Sequence, residues 1–425
     1  MKRRNSFVIK CSETRYDLDR RLGIMCYETS TDVSLESARR IGSDVFTVYE
    51  VAIYYGIASL SYEPRENSYE HYLSSDPGTP LYLYILNKKD LDTLTATRIL
   101  KKKLKCSKIT HLGLKDKAAD TYQFILADKC LNFTPFIKKG SIEAVFVRLV
   151  PRRILFERED LLIGNCFKIS MKSLVKDPEA LRGIIDDIKE IGFLPNYYSY
   201  QRFGVRRPIT HLLGLQILSQ SLDELIKTLI CFPEHDCDID LRCREIVKKK
   251  WMWIEGIICR ELAKSKSDIK RVIKRLPREI LKLYVSAFFS YIFNYYLSYR
   301  WILYGLGIEN IDGEKRSITP LSRVEIPYMH ITLDQEDLKI LSGDKELILR
   351  IFSEHNLDTE DLTRAMNFIR EVTGIKNFIL NRFLITPLHK LQVKEDLEIS
   401  FCLDKGGYAT NLLREVFKEN IYSLL

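Results

Sequence analysis

The hydrophobic positions first follow a strand period. Residues 45 to 55 (VFTVYEVAIYY) are rich in β-branched and aromatic side chains and predict a strand, and Leu81 to Leu86 (LYLYIL) predicts a second. From Leu94 to Leu104 the period lengthens. Ile99, Leu100 and Leu104 share one face of an amphipathic helix, with Thr93 placed to cap it. The other face holds Arg98, Lys101, Lys102, Lys103 and Lys105, which suits a solvated face and a phosphate-contacting face equally. Ile109 to Leu112 and Thr121 to Leu126 then read as strands on either side of the loop GLKDKAAD, a rigid mounting for loop side chains.

Asp177-Pro178 opens the next helix, a cap residue followed by Pro in the first turn. Leu181, Ile184, Ile185 and Ile188 form its apolar stripe, and Gly192 stands where a C-terminal cap is expected. From about residue 215 to 380 the pattern is mainly helical, in segments 222–230, 241–265, 268–300 and 359–371. After Arg382 strands return in FLIT and LEISFCL, and a helix capped by Thr410 closes the chain over Ala409 to Phe417. Strand-rich flanks around a helix-rich middle predict an α+β chain. A mainly helical domain, 215–380, is inserted into a core made of 1–214 and 381–425, whose two parts share one sheet.

Composition narrows the function. At 46% hydrophobic residues the 425-residue chain can bury a core, which excludes global disorder. Lys and Arg outnumber Asp and Glu 66 to 57, a net charge of +9 that suits an anionic partner without proving one. The 23 Tyr and 20 Phe supply faces for unstacked bases, although most are expected to fill the core. Met1 to Arg15 has no apolar signal region, so a cytoplasmic protein is expected. The uncharged stretch between Lys282 and Arg300 is too rich in Ser, Asn and Tyr for a membrane span and predicts a buried, polar-edged helix. The ten Cys show no framework spacing and are expected as reduced thiols. Cys231, His235, Cys237 and Cys243 are zinc-type ligands without paired knuckle spacing, and no metal is expected there.

Three segments carry candidate chemistry. Asp116 lies between Lys115 and Lys117, whose charges favour the carboxylate form that a nucleophile needs, although a KDK turn is also common on surfaces. Asn196 to Gly204 (NYYSYQRFG) combines three Tyr and a Phe with Asn, Gln and Arg202. The amides can pair with base edges, the rings can stack, and Arg206 and Arg207 follow as phosphate clamps. In Lys405 to Glu415 (KGGYATNLLRE) two glycines permit close backbone approach before Tyr408.

Taken in order, these segments resemble the TruD family of pseudouridine synthases, particularly its archaeal branch. LGIMCYE, DVFTVYE, HLGLKDKAADTYQ, IGNCFKI, NYYSYQRFGVRRPITH and GGYATNLLRE each resemble a family motif, and the order and spacing of six make the likeness specific. The resemblance implies a bent mixed sheet interrupted by a family-specific insertion. It implies isomerisation of uridine 13 of tRNA to pseudouridine without cofactor or metal, and no membrane or obligatory protein partner. Residue by residue, Asp116 matches the nucleophile. Phe46, Asn196, Tyr198 and Tyr408 match substrate-contacting positions, and Arg40 falls near a basic active-site position. Lys115, Lys117, Arg202, Arg206 and Arg207 are the expected phosphate contacts. The chain departs from the pattern at Ser43-Asp44-Val45-Phe46, where the acidic residue is shifted by one. It also has Tyr198 and Tyr408 where Phe is frequent, and Ser199 for a frequent Gly.

Two rival readings are a non-catalytic RNA-binding or RNA-folding protein and an enzyme of free nucleotides. The intact GLKDK argues against the first, and the absence of Walker and Rossmann glycine patterns argues against the second.

Overall fold

The strand-rich flanks do pair with each other across more than two hundred residues of sequence. The structure, a computed structural model, describes residues 6–36, 40–53, 55–61, 79–115, 117–156, 158–234, 236–249, 252–264, 268–309, 328–334, 336–342 and 344–425. Asp116 and His235 lie outside the described residues. The chain divides into two units: a sheet unit, residues 31–194 with 386–425, and a helical unit, residues 1–30 with 195–385.

An eleven-stranded sheet dominates the sheet unit. In chain order its strands are β1 Phe46–Ala52, β2 Gly56–Ile57, β3 Leu81–Lys89, β4 Cys106–His111, β5 Asp120–Cys130, β6 Phe136–Lys139, β7 Ile142–Val150, β8 Leu162–Ser170, β9 Phe193–Pro195, β10 Ile385–Val393 and β11 Glu398–Asp404. They are arranged β9-β10-β11-β8-β1-β5-β3-β7-β6, with β2 beside β1 and β4 beside β5. The sheet is mixed, since β1 and β5 run parallel with Thr47 opposite Asp120, whereas β8 pairs antiparallel with β1 and with β11. The LYLYIL run is explained by burial on both faces. Leu81, Leu83 and Ile85 enter one core with Phe124 and Leu126, while Tyr84 and Leu86 enter another with Ala96, Leu100 and Leu104.

Helix α1 spans Thr93–Leu104. Its cap is Asp92, whose carboxylate accepts the Thr95 N–H at 2.8 Å, and not Thr93 as the sequence suggested. Helix α2, Pro178–Ile191, begins and ends as its sequence predicts. Asp177 accepts the N–H groups of Glu179 and Ala180, the stripe is buried, and Gly192 takes the left-handed cap. Helix α3, Ala409–Phe417, starts from Tyr408, so Thr410 lies inside it and does not cap it.

In the helical unit a 27-residue helix, Arg278–Tyr304, carries the uncharged stretch. Its buried polar residues anchor other segments. Ser298 donates to the Gly23 carbonyl at 2.6 Å, and Asn294 donates to the Leu22 carbonyl at 3.1 Å. Strands Tyr328–Leu333, Leu338–Ser342 and Phe378–Phe383 form a small antiparallel sheet in the same unit. Among the described residues no helix is long and apolar enough to cross a membrane.

The cysteines differ from expectation: all ten are paired, as Cys11–Cys26, Cys106–Cys130, Cys166–Cys402, Cys231–Cys237 and Cys243–Cys259. Spacing could not show this, because Cys166 and Cys402 are 236 residues apart and meet only through the register of β8 with β11. Three thiols of the zinc-type cluster are thereby engaged.

Candidate functional site

Sheet-unit groups gather around a loop, residues 113–119, which connects β4 to β5. Lys115 flanks position 116 and turns inward. Its ammonium lies 2.6 Å from the Glu50 carboxylate, with 9% and 0% of the two side chains exposed. The other oxygen of Glu50 accepts the Phe124 N–H at 2.8 Å. Burial pushes the Glu50 carboxyl up, and the Lys115 charge opposes that rise. The backbone of Lys115 is held as well: its N–H donates to the Thr93 hydroxyl at 3.1 Å, and that hydroxyl lies 3.2 Å from the Gln123 side-chain oxygen. Gly113 lies close to this pair: a Cβ there would stand 2.8 Å from the Lys115 ammonium and 3.2 Å from Leu162. Lys117, by contrast, is exposed. Asp120, at the start of β5, accepts a hydrogen bond from the Asn87 amide at 2.5 Å.

Side chains alternate along a strand, so Phe46, Val48 and Glu50 share a face of β1. Phe46 stacks on Phe167 with centroids 6.0 Å apart. At the start of β8 the Ile163 carbonyl accepts the Lys405 N–H at 2.8 Å, which fixes the turn leading to the half-buried Tyr408. Gly164 lets β8 and β11 approach there, since a Cβ would fall 2.3 Å from the Leu403 carbonyl oxygen. Arg40 is exposed, and the next residue, Ile41, is tied by its N–H to the Leu424 carbonyl at 2.8 Å.

The helical unit carries Asn196, Tyr198, Arg202, Arg206 and Arg207. Of the three tyrosines in NYYSYQRFG, Tyr197 and Tyr200 are core residues, each 1% exposed. The Tyr197 hydroxyl bonds Ser298 at 2.8 Å, and Tyr200 donates to the buried Asp19. Tyr198 is half-buried. Asn294 clamps its backbone by accepting the N–H at 2.9 Å and donating to the carbonyl at 3.0 Å. The Arg382 guanidinium sits 4.0 Å from the Tyr198 ring centroid, and Phe293 meets the ring edge-on at 5.6 Å. Asn196 holds this arginine: its side-chain oxygen accepts from Arg382 at 2.6 Å, its carbonyl accepts at 2.9 Å, and its amide donates to the Phe383 carbonyl at 3.0 Å.

The arginines divide in the same way. Arg202 donates to Ser290 and Ser286 at 3.0 and 2.8 Å. Arg207 pairs with Glu255 and donates to the Leu229 carbonyl at 2.7 Å. Arg206 is exposed. Glu50 and Arg382 were not singled out from sequence, and Thr93 was read only as a helix cap. Glu50 did leave a signal, a carboxylate within the apolar run VFTVYEVA. Arg382 left a weaker one, at an inward position of the strand FILNRF.

A family model described as TruD, tRNA pseudouridine synthase D, matches residues 21–314. A protein of Pyrococcus abyssi named probable tRNA pseudouridine synthase D is 28% identical over 380 residues, covering 79% of this chain and 90% of that one. One of the same name from Pyrococcus furiosus is 29% identical over 374 residues, covering 79% and 89%. A crystal structure from Methanosarcina mazei bearing the name tRNA pseudouridine synthase D (TruD) superposes with a TM-score of 0.60. It covers 95% of this chain and 98% of that one at 20% identity, which shows a shared fold.

Proposed function

Because the chain belongs to the TruD family of tRNA pseudouridine synthases, a family of isomerases, we propose that it converts uridine 13 of tRNA into pseudouridine with Asp116 as the nucleophile. The reaction breaks the uridine N1–C1′ bond, turns the uracil, and rejoins it through C5. The observation that carries the assignment is the buried Glu50–Lys115 pair next to position 116. Lys115 is held by the ion pair and, through its N–H, by the Thr93 hydroxyl, and catalysis gains when the neighbours of a reacting group are preorganised. Lys115 is a positioning residue in this reading.

The substrate nucleotide leaves its stack at a cost of a few kcal/mol, and stacking worth about 1–3 kcal/mol per base offsets it. Within the sheet unit we assign that stacking to Phe46 and Tyr408; in the helical unit Tyr198 offers a ring to the RNA, with Asn196 acting through Arg382 to hold it. Phosphate contacts fall to Lys117, Arg206 and Arg40, the exposed cations of the set, because Lys115, Arg202 and Arg207 are engaged inside the fold. Incubation with tRNA tritiated at uridine C5 tests the reading. Tritium release with pseudouridine at one position is expected, and tight tRNA binding without release would identify a binding protein instead.

A further inference from the structure

The lysine-rich end of α1 takes no part in the catalytic reading, yet it opens on a groove of about 620 Å³. Lys102 and Lys103 line one side, the connection from β5 to β6 lines another, Lys139 closes it, and among the described residues no carboxylate lines it. The connection is pinned. The N–H groups of Leu131 and Asn132 donate to the Lys105 and Leu104 carbonyls at 3.3 and 3.0 Å, and the Tyr84 hydroxyl donates to the Thr134 carbonyl at 3.1 Å. Phe133 packs edge-on against Phe146 with centroids 5.0 Å apart, and still leaves 52% of its surface exposed. Lysines at a helix C-terminus complement the helix dipole, which accounts for Lys102 and Lys103. It accounts neither for Lys139 on a different element nor for an aromatic ring held in the open.

We propose that this groove is a second RNA contact that holds one unstacked nucleotide of the substrate strand. Its base rests against Phe133 with the Asn132 amide at the base edge, and Lys102, Lys103 and Lys139 take the flanking phosphates. An aromatic platform, an amide and unopposed ammonium groups are what single-stranded RNA requires. The proposal rests on the RNA-modifying reading above and adds a distance to it. Helix α1 runs from Thr93, bonded to Lys115, to Leu104, bonded to Asn132. Its twelve residues therefore separate loop and groove by about 17 Å at 1.5 Å per residue. The groove thus engages the substrate away from the target base.

The test measures tRNA affinity and, separately, the single-turnover rate at saturating enzyme. The variants are Phe133→Ala, Phe133→Tyr and the double Lys102→Glu/Lys139→Glu. Loss of one stacked base should weaken binding roughly five- to a hundredfold in Phe133→Ala, with wild-type affinity kept in Phe133→Tyr, which retains the ring. The double charge reversal should weaken binding and lower the slope of log affinity against log salt by about 0.7–0.9 for each phosphate that is no longer neutralised. The saturating rate should stay at the wild-type value throughout. Unchanged tRNA affinity in Phe133→Ala and in the double reversal would overturn the proposal, as would a groove that binds polyglutamate in preference to RNA. The two readings fail separately: a wild type that binds tRNA but releases no tritium removes the catalytic reading alone, and a wild type that turns over while these variants bind normally removes the groove alone.

Discussion

At the scale of single residues, Glu50 and Lys115 form the pair on which the loop depends. Removing one partner of a buried ion pair leaves the other charge without compensation and costs about 3–5 kcal/mol, whereas removing both charges together leaves no uncompensated charge. Glu50→Gln and Lys115→Met should each lower the urea midpoint strongly. The double variant should recover most of the loss while activity stays low, because the loop is no longer held. Additive losses in the double variant would mean that the two side chains do not act as a pair. His211 yields a pH prediction. Its ring stacks on Tyr291 at 4.7 Å, and burial pushes its pKa from 6.5 down to about 3. Between those values the unfolded chain binds a proton that the folded ring refuses. Its contribution to stability is thus intact above pH 6.5 and declines as the pH falls towards 3. His211→Phe should flatten the fall in urea midpoint across that window, and an unchanged slope would assign the effect to other groups.

At the scale of elements, two glycines of the sheet unit make opposite predictions. Gly164 lies where β8 and β11 approach closely, so Gly164→Ala drives a methyl towards the Leu403 carbonyl and should cost about 1–3 kcal/mol. Gly183 is in α2, where an added Cβ meets nothing within 4 Å, and Gly183→Ala should stabilise by about 0.5–1 kcal/mol. Thermal unfolding of both variants checks this, and a destabilised Gly183→Ala would show that α2 is packed differently. Elements of this kind were largely legible in the sequence. The α2 stripe and both its caps, β3, and the span of α3 follow from period and punctuation that act over a few residues. The start of α1 was misread because the Thr93 hydroxyl, a good cap by type, bonds the Lys115 backbone instead. The predicted helix over 241–265 is two helices, Ile239–Ile246 and Trp253–Leu262, since an apolar period alone does not mark a break. What could not be read at all is long-range: Glu50 with Lys115, Arg382 under Tyr198, and Cys166 with Cys402 depend on how distant segments meet.

At the scale of the whole molecule, the net charge of +9 predicts tRNA binding that weakens as salt rises. Lys117→Gln and Arg206→Gln should each reduce the slope of log affinity against log salt by about 0.7–0.9. Arg207→Gln should leave the slope unchanged, because its partners are Glu255 and the Leu229 carbonyl. Equal slopes in all three would remove the division between exposed and engaged cations. The candidate residues are distributed over both units, with position 116, Phe46 and Tyr408 in the sheet unit and Asn196 and Tyr198 in the helical unit. The sequence reading did not separate them, since it placed all five in the core segments 1–214 and 381–425. All of it serves one chemical claim, that Asp116 attacks the substrate while Asp120, bonded to Asn87, supports the strand. Covalent catalysis needs the carboxylate, and an amide of the same shape cannot replace it. The decisive measurement is single-turnover pseudouridine formation on tRNA by Asp116→Asn and Asp120→Asn, with tRNA affinity measured in parallel. The account predicts no product from Asp116→Asn at near wild-type affinity and substantial product from Asp120→Asn. Turnover by Asp116→Asn, or loss of product confined to Asp120→Asn, would contradict it.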